Sequence, residues 1–279
     1  MELPKTDIGG LEIARVVCGS NPFVGSSHST EARARWLRRY FTHERIVEVL
    51  LKCVELGVNS LVCSPREDMH KALETTRKQS GKEMHWICTP QDEQGDIRDD
   101  IKWCADHGVR ICMPHSIYTD SRLNVKENRI DGIEPVLESI RNHGMIPGLS
   151  THRPEVLMVS QSAGYDVETC LLPFNVIGFL CAVEIEWTAR VIRDYKKPVI
   201  CIKPFAAGRI TPAPALEFVF KNSKPIDLVC AGFLSPEEVE EDLEMTVDIL
   251  SGRQTNVQLN VTGSKKALLG HLSKEEALS

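Results

Sequence analysis

Short runs of β-branched and apolar residues alternate along this chain with longer stretches whose apolar positions recur every three or four residues. The first pattern suits a strand covered on both faces, and the second an amphipathic helix laid against it. Eight short runs stand out, at 14–18, 60–63, 84–89, 109–113, 145–149, 169–174, 199–203 and 228–232. Between 44 and 56 the helical period is plain, with Ile46, Val47, Leu50, Leu51 and Val54 on one face. Gly57, Gly108 and Gly144 each close such a helix, where a residue free to take positive φ lets the chain turn into the next strand. Ser235-Pro236-Glu237-Glu238 combines an N-cap serine with proline at the first helical position and glutamate at the third, predicting a helix to about Leu250. Eight βα units in 279 residues predict an α/β fold, a (β/α)₈ TIM barrel forming a single domain over 1–279. Ahead of the first strand, Ile8-Gly9-Gly10-Leu11 reads as the turn of a short N-terminal β-hairpin that closes the bottom of the barrel. Two connections, 19–43 and 115–130, are too long for plain links and fall on the C-terminal face, where barrels of this class keep their sites.

Charge and cysteine usage narrow the function classes. A net charge of −6 argues against general affinity for nucleic acid or an anionic membrane. No apolar run reaches the roughly 18 residues of a membrane span, and the opening Met1-Glu2-Leu3-Pro4-Lys5 lacks the basic start and apolar stretch of a secretory signal. A cytoplasmic protein is expected. Six of the ten cysteines, Cys18, Cys63, Cys88, Cys112, Cys201 and Cys230, sit singly in apolar runs, the usage of reduced core thiols.

If the strands point their C-terminal ends at one mouth, that mouth receives Asn21, Cys63, Thr89, Gln91, His115, His152, Asn175, Lys203 and Arg209. This polar set suits a small hydroxylated ligand such as a sugar or sugar acid, with Phe23, Tyr118 or Phe174 to cover an apolar face. His115 and His152 follow strands directly and are the expected acid–base pair, since imidazole titrates near neutrality. Asp120, five residues after His115, would orient it if the connection folds back. The expected substrate contacts are Asn21, Asn175, Lys203, Gln91 and Tyr118. The spacing 115, 120, 152 is no metal signature, and no bound metal is expected. Lys203 as a Schiff-base lysine and Cys63 as a nucleophile are weaker readings than an ordinary polar contact and a core thiol. Arg33, Arg35, Arg38 and Arg39 with Trp36 and Tyr40 read first as a solvated helix face, and second as a lid or an interface between copies.

Several segments resemble the aldo-keto reductases. The opening 8–19, Ile8-Gly9-Gly10-Leu11 through Val17-Cys18-Gly19, is similar to that family's hairpin and first strand. Lys203-Pro204-Phe205-Ala206-Ala207-Gly208 resembles its seventh-strand KPLAGG segment, and Gly232-Phe233-Leu234-Ser235-Pro236-Glu237-Glu238 its eighth-strand loop and helix. Gly148-Leu149-Ser150-Thr151-His152 and Pro173-Phe174-Asn175 resemble two further strand ends. The resemblance implies reduction of a carbonyl by a nicotinamide cofactor with an Asp, Tyr, Lys and His tetrad. Here Val62 stands at the aspartate position, 64–70 holds no tyrosine, Pro90 stands at the lysine position, and only the histidine is kept, as His115. Gly208, Arg209, Gly232 and Ser235 are the positions the resemblance offers to a cofactor. The eighth-strand loop has no Arg or Lys for a 2′-phosphate, and Glu237, Glu238, Glu240 and Glu241 follow it, so NADP binding is not favoured. The 19–29 segment also resembles an uncharacterised group of barrel proteins with a GNPFSGFSH opening.

Three functions follow. The first is an enzyme using histidine acid–base chemistry on a small sugar-like or carbonyl substrate without the reductase tetrad. The second is an NAD(P)-dependent oxidoreductase with a recruited proton donor. The third is a non-catalytic small-molecule-binding barrel. The sequence leaves the oligomeric state open.

Overall fold

Gly9 and Gly10 both take positive φ, 59° and 87°, the backbone that a two-residue hairpin turn requires. They join β1 (Lys5–Ile8) to β2 (Leu11–Ala14) in an antiparallel pair. The structure, a computed structural model, describes residues 3–92 and 95–255. The single-domain expectation for 1–279 therefore extends at 1–2, 93–94 and 256–279 outside the described residues.

After the hairpin come β3 (Val16–Gly19), α1 (Glu31–Tyr40), α2 (His43–Glu55), β4 (Ser60–Cys63), α3 (Glu67–Ser80), β5 (His85–Cys88), α4 (Ile97–Asp106) and β6 (Ile111–Cys112). The connection that follows carries α5 (Ser116–Ser121) and a small antiparallel pair, β7 (Leu123–Asn124) and β8 (Arg129–Ile130). The second half runs α6 (Glu134–Asn142), β9 (Ile146–Ser150), α7 (Glu155–Ala163), β10 (Thr169–Pro173), α8 (Ile185–Asp194), β11 (Val199–Ile202), α9 (Pro212–Asn222), β12 (Leu228–Ala231) and α10 (Pro236–Leu250). Eight parallel strands close in the order β3-β4-β5-β6-β9-β10-β11-β12, with β12 returning to β3 through Val229↔Val16 and Ala231↔Cys18.

Residues alternate along each strand between the barrel interior and the helix layer. In β10, Leu171 joins an interior cluster with Val17, Ile87, Ile111, Ile200 and Leu228, whereas Cys170 and Leu172 face outward into the larger core under the helices. Ile8 and Ile13 of the hairpin, both without exposure, belong to the interior cluster, so the hairpin plugs the N-terminal end of the barrel. Gly148 is fixed by crowding rather than by φ: a Cβ there would come 2.6 Å from Met113 Cγ and 2.8 Å from the Thr169 carbonyl oxygen.

The helices start where their caps are. Thr42 accepts from the Arg45 amide at the head of α2, and Ile46, Val47, Leu50 and Val54 form its buried face. At α10, Ser235 Oγ accepts from the Glu238 amide (3.3 Å), and the Glu238 carboxylate accepts the Leu234 amide (2.7 Å). The run expected as a strand at 14–18 is divided. Asn59 Oδ1 accepts the Ala14 amide at 2.9 Å, which ends β2, and β3 begins after a bend at Arg15. All ten cysteines are free, nine of them buried. Among the described residues no helix is long and apolar enough to cross a membrane.

Candidate functional site

The C-terminal ends of the strands open into a cavity of about 920 Å³. Its floor is apolar, made by Val62, Leu171, Ile202 and Cys230. Its polar wall comes from five segments: Asn21 and His28 after β3, Gln91 after β5, His115 after β6, His152 after β9, and Lys203 with Arg209 after β11.

Lys203 stands at the centre of this wall. Its backbone lies at φ 62°, and Ala206, Ala207 and Gly208 also take positive φ. A left-handed conformation costs a side-chain-bearing residue roughly 1–2 kcal/mol, and such strain persists only where surrounding structure fixes it. Here Arg209 does so, donating to the Ala206 carbonyl (3.0 Å) and across the mouth to the His28 carbonyl (3.2 Å). Lys203 Nζ lies 2.6 Å from His28 Nε2, and Asn21 Nδ2 lies 3.4 Å from the same nitrogen. Both neighbours, an ammonium and a carboxamide N–H, are donors, so His28 Nε2 is the acceptor and its ring is neutral. Burial pushes the His28 imidazole down to about 4, assisted by the positive charges of Lys203, His152 and Arg209. Burial likewise brings the Lys203 ammonium down to about 8. His152 is held below the ordinary histidine value by burial and by Lys203. At neutral pH the mouth therefore combines a neutral imidazole at His152 with a largely protonated Lys203, a base and an acid on one rim.

His115 Nδ1 accepts the Ile117 amide at 3.2 Å. In the neutral ring the proton is then on Nε2, which makes His115 a hydrogen-bond donor rather than a base. Its partner differs from the expected one. The Asp120 carboxylate turns to β9, where it accepts the Thr151 hydroxyl and, at 2.9 Å, the His152 amide. Asp120 thus sets the backbone on which His152 stands, and it does not line the cavity.

Two expected substrate contacts lie elsewhere. Asn175 is fully buried, and its amide spans Phe179, donating to the Phe179 carbonyl (2.9 Å) and accepting the Phe179 amide (2.8 Å). That clamp holds the Phe179 ring under Arg209, 4.5 Å from its guanidinium carbon, and edge-on to the His28 ring, 6.2 Å between centroids, so Asn175 acts on the mouth through Phe179. Tyr118 is buried beneath Arg122, 3.5 Å from the guanidinium carbon to the ring centre, outside the cavity lining. The aromatic cover expected from Phe23 and Phe174 is also absent from the lining. Phe23 packs on Phe41 and Phe174 on Phe218, and Phe205 is the aromatic residue that lines the cavity. Asn21, Gln91, His115, His152 and Lys203 do meet there. Cys63 lines it too, but burial raises its thiol to about 11, which leaves it a poor nucleophile near neutrality. His28 was not anticipated, because its partner is 175 residues away in sequence. Its one sequence signal is a histidine inside a long connection on the C-terminal face. The Arg-rich stretch forms α1, with Arg33 over Trp36 (4.4 Å) and Trp36 stacked on Tyr40 (4.8 Å), largely a solvated face as expected.

Of the candidate cofactor positions, Gly208, Arg209 and Gly232 line the cavity and Ser235 does not. Gly232 is required by packing, since a Cβ there would lie 2.9 Å from Pro22 Cδ. The Leu234 and Glu238 amides at the head of α10 are already taken by the Glu238 and Ser235 side chains. Beyond them the lining is Glu238, Glu241 and Asp242. The α10 end of the cavity is therefore acidic, with Arg33, Lys203 and Arg209 on other parts of its lining.

Neither a family model nor a curated protein sequence matches this chain. Solved structures do match in fold. Glycerol dehydrogenase from Gluconobacter oxydans aligns over 92% of this chain and 98% of its own, with TM-score 0.60 at 12% identity. An aldo-keto reductase from Bacillus halodurans, in its holo form, aligns over 92% and 99%, with TM-score 0.58 at 13% identity. An aldo/keto reductase from Brucella melitensis aligns over 93% and 94%, with TM-score 0.54 at 11% identity. The fold is that of the aldo-keto reductase barrels, and at these identities the likeness speaks for the fold alone.

Proposed function

We propose that this protein is an enzyme that moves protons on a small hydroxylated carbonyl substrate, sugar-like in chemistry, held at the barrel mouth. The observation that carries the reading is the Lys203–His28 contact of 2.6 Å in a cavity that His115 and His152 share. His152, neutral at pH 7, takes a proton from the carbon beside the carbonyl. The Lys203 ammonium and His115 Nε2–H donate to the carbonyl oxygen and carry the negative charge that develops there. Protonation of that oxygen by Lys203, loss of the adjacent hydroxyl's proton to the deprotonated Lys203 amine and return of the carbon proton to the former carbonyl carbon complete an isomerisation, and return of the proton to the same carbon leaves only exchange with solvent. His28 holds the Lys203 amine in place. None of these steps uses the tyrosine, aspartate or lysine of the reductase tetrad. Val62 and Pro90 at two of those positions count against the oxidoreductase reading, which keeps the fold as its support. A binding-only barrel would need neither the acid nor the base.

The test is deuterium incorporation from D₂O into a panel of aldoses, ketoses and keto acids, followed by NMR with no added cofactor. Incorporation beside a carbonyl that falls by about 10²-fold or more in His152→Gln and Lys203→Met is the expected result. Low-micromolar NADPH binding with oxidation coupled to any carbonyl compound in the panel would overturn it in favour of the oxidoreductase.

A further inference from the structure

The cavity has a second charged wall that the chemistry above does not use. Glu238, Glu241 and Asp242, on the first two turns of α10, line it. Glu238 is committed to the Leu234 amide and Glu241 is exposed. Asp242 differs from both. It is 5% exposed and reaches the cavity, and no hydrogen bond or ion pair meets its carboxylate among the described residues. The charges that act on it are the like charges of Glu238 and Glu241. A buried carboxylate with two carboxylate neighbours and no donor costs the fold free energy unless something else supplies the positive charge.

The surrounding cations are occupied or out of reach. Arg33 of α1 lines the cavity, acts on Glu238 and lies over the Trp36 ring. Lys52 of α2 pairs with Glu55 and is drawn to Glu240 and Glu237 on the outer side of α10. Lys203 on β11 is engaged with His28. The three carboxylates are not among any group spaced to hold a metal ion. An ammonium or guanidinium, which can pair with carboxylates singly, is the cation that suits them.

We propose that this end of the cavity is a subsite for a cationic group, a primary ammonium or a guanidinium, received by Asp242 with Glu241 at its rim. Combined with the reading of Lys203 and His152, on which this second clause rests, the substrate class narrows to amine-bearing hydroxycarbonyl compounds such as amino sugars. The cavity would then bind such a molecule with its amine at α10 and its carbonyl at the Lys203 wall.

Isothermal titration of the full chain with hexylammonium, hexanol and hexanoate as probes separates the two clauses. Hexylammonium is expected to bind at least 10-fold more tightly than hexanol at pH 7.5. Asp242→Asn should reduce it to the level of hexanol, while Lys203→Met, which removes a positive charge from the same cavity, should not weaken it. At pH 6.5 the binding enthalpy in buffers of different ionisation heat should report proton release as Asp242 ionises, and Asp242→Asn should abolish that release. Equal binding of hexanol, undiminished binding to Asp242→Asn, or displacement of hexylammonium by Mn²⁺ alone would overturn the subsite. Loss of hexylammonium binding in an Asp242→Asn protein of native circular dichroism is a result at α10 alone. Failure of the Lys203 chemistry appears instead in the deuterium assay and leaves hexylammonium binding intact.

Discussion

Replacing Asp242 by asparagine should stabilise the protein, and by an amount that grows with pH. In the unfolded chain the carboxyl ionises near 3.8, whereas burial, and then the charges of Glu238 and Glu241, hold it up at about 7 in the fold. Below the lower value both states are protonated and the side chain is neutral in each. As pH rises, the unfolded chain gives up its proton first, so folding is penalised increasingly until the folded carboxyl also ionises near 7. Stability from this group is therefore fully present in acid and lost as pH rises through about 7. At about 1.4 kcal/mol per pKa unit the full penalty is about 4 kcal/mol, and water in the cavity brings the expected figure to about 2–4 kcal/mol. A buried asparagine amide has its own cost, but one independent of pH. The discriminating quantity is thus the change in the mutational difference between pH 5 and pH 8, about 1–3 kcal/mol by the same linkage. Urea unfolding of both proteins at pH 5, 6, 7 and 8 measures it. A mutational difference that is flat across this range would refute the argument, because it would mean that the Asp242 carboxyl ionises alike in both states.

Asp120→Ala should destabilise by about 2–3 kcal/mol, since hydrogen bonds to a charged group contribute roughly 1.5–3 kcal/mol each and burial of the carboxylate offsets part of that; the melting temperature should fall by about 5–10 °C. Asp120→Asn should recover about half of the loss, and an unchanged melting temperature in Asp120→Ala would remove the clamp from the account of His152. Gly148→Ala should cost about 2–3 kcal/mol by overpacking against Met113 and the Thr169 carbonyl, read from the denaturation midpoint; a neutral outcome would mean that β9 can shift within the barrel. The rate of solvent deuterium exchange should rise with pH as His152 loses its proton, below the ordinary histidine value of 6.5, and fall as Lys203 loses its own near 8. Lys203→Met should remove the basic limb and lower the rate by about 10²–10⁴; a basic limb that survives would assign it to another group.

Much of this architecture is legible in the sequence because it rests on local rules. Period-2 and period-3.6 patterning, the Ser235 cap and the Gly9-Gly10 turn each fix an element from residues that are neighbours in the chain. The boundary between β2 and β3 is not local. It depends on Asn59, 45 residues further on, capturing the Ala14 amide, and nothing in 14–18 signals that. The rim of the site was legible in the same way, since a residue that ends a parallel strand must reach the mouth; Asn21, His115, His152 and Lys203 do. Position at a strand end says nothing about where a side chain points, however. Asn175 found backbone partners four residues on, Asp120 found the Thr151 hydroxyl and the His152 amide across at the end of β9, and Tyr118 found Arg122. His28 and Asp242 were out of reach for the opposite reason. Their environments are made by residues brought together only when the barrel closes or by burial at a helix face, as His28 meeting Lys203 shows.

The hairpin that seals the N-terminal end of the barrel also dictates traffic. With Ile8 and Ile13 filling that end, the barrel formed by the described residues is a vessel closed at its base, and whatever arrives at the strand ends departs by the same route. Substrate and product then compete for one passage, narrowed by the contacts of Arg209 and Lys203 with His28. If two molecules react here, the one nearer the floor must enter first and leave last, a compulsory order that steady-state inhibition patterns would reveal.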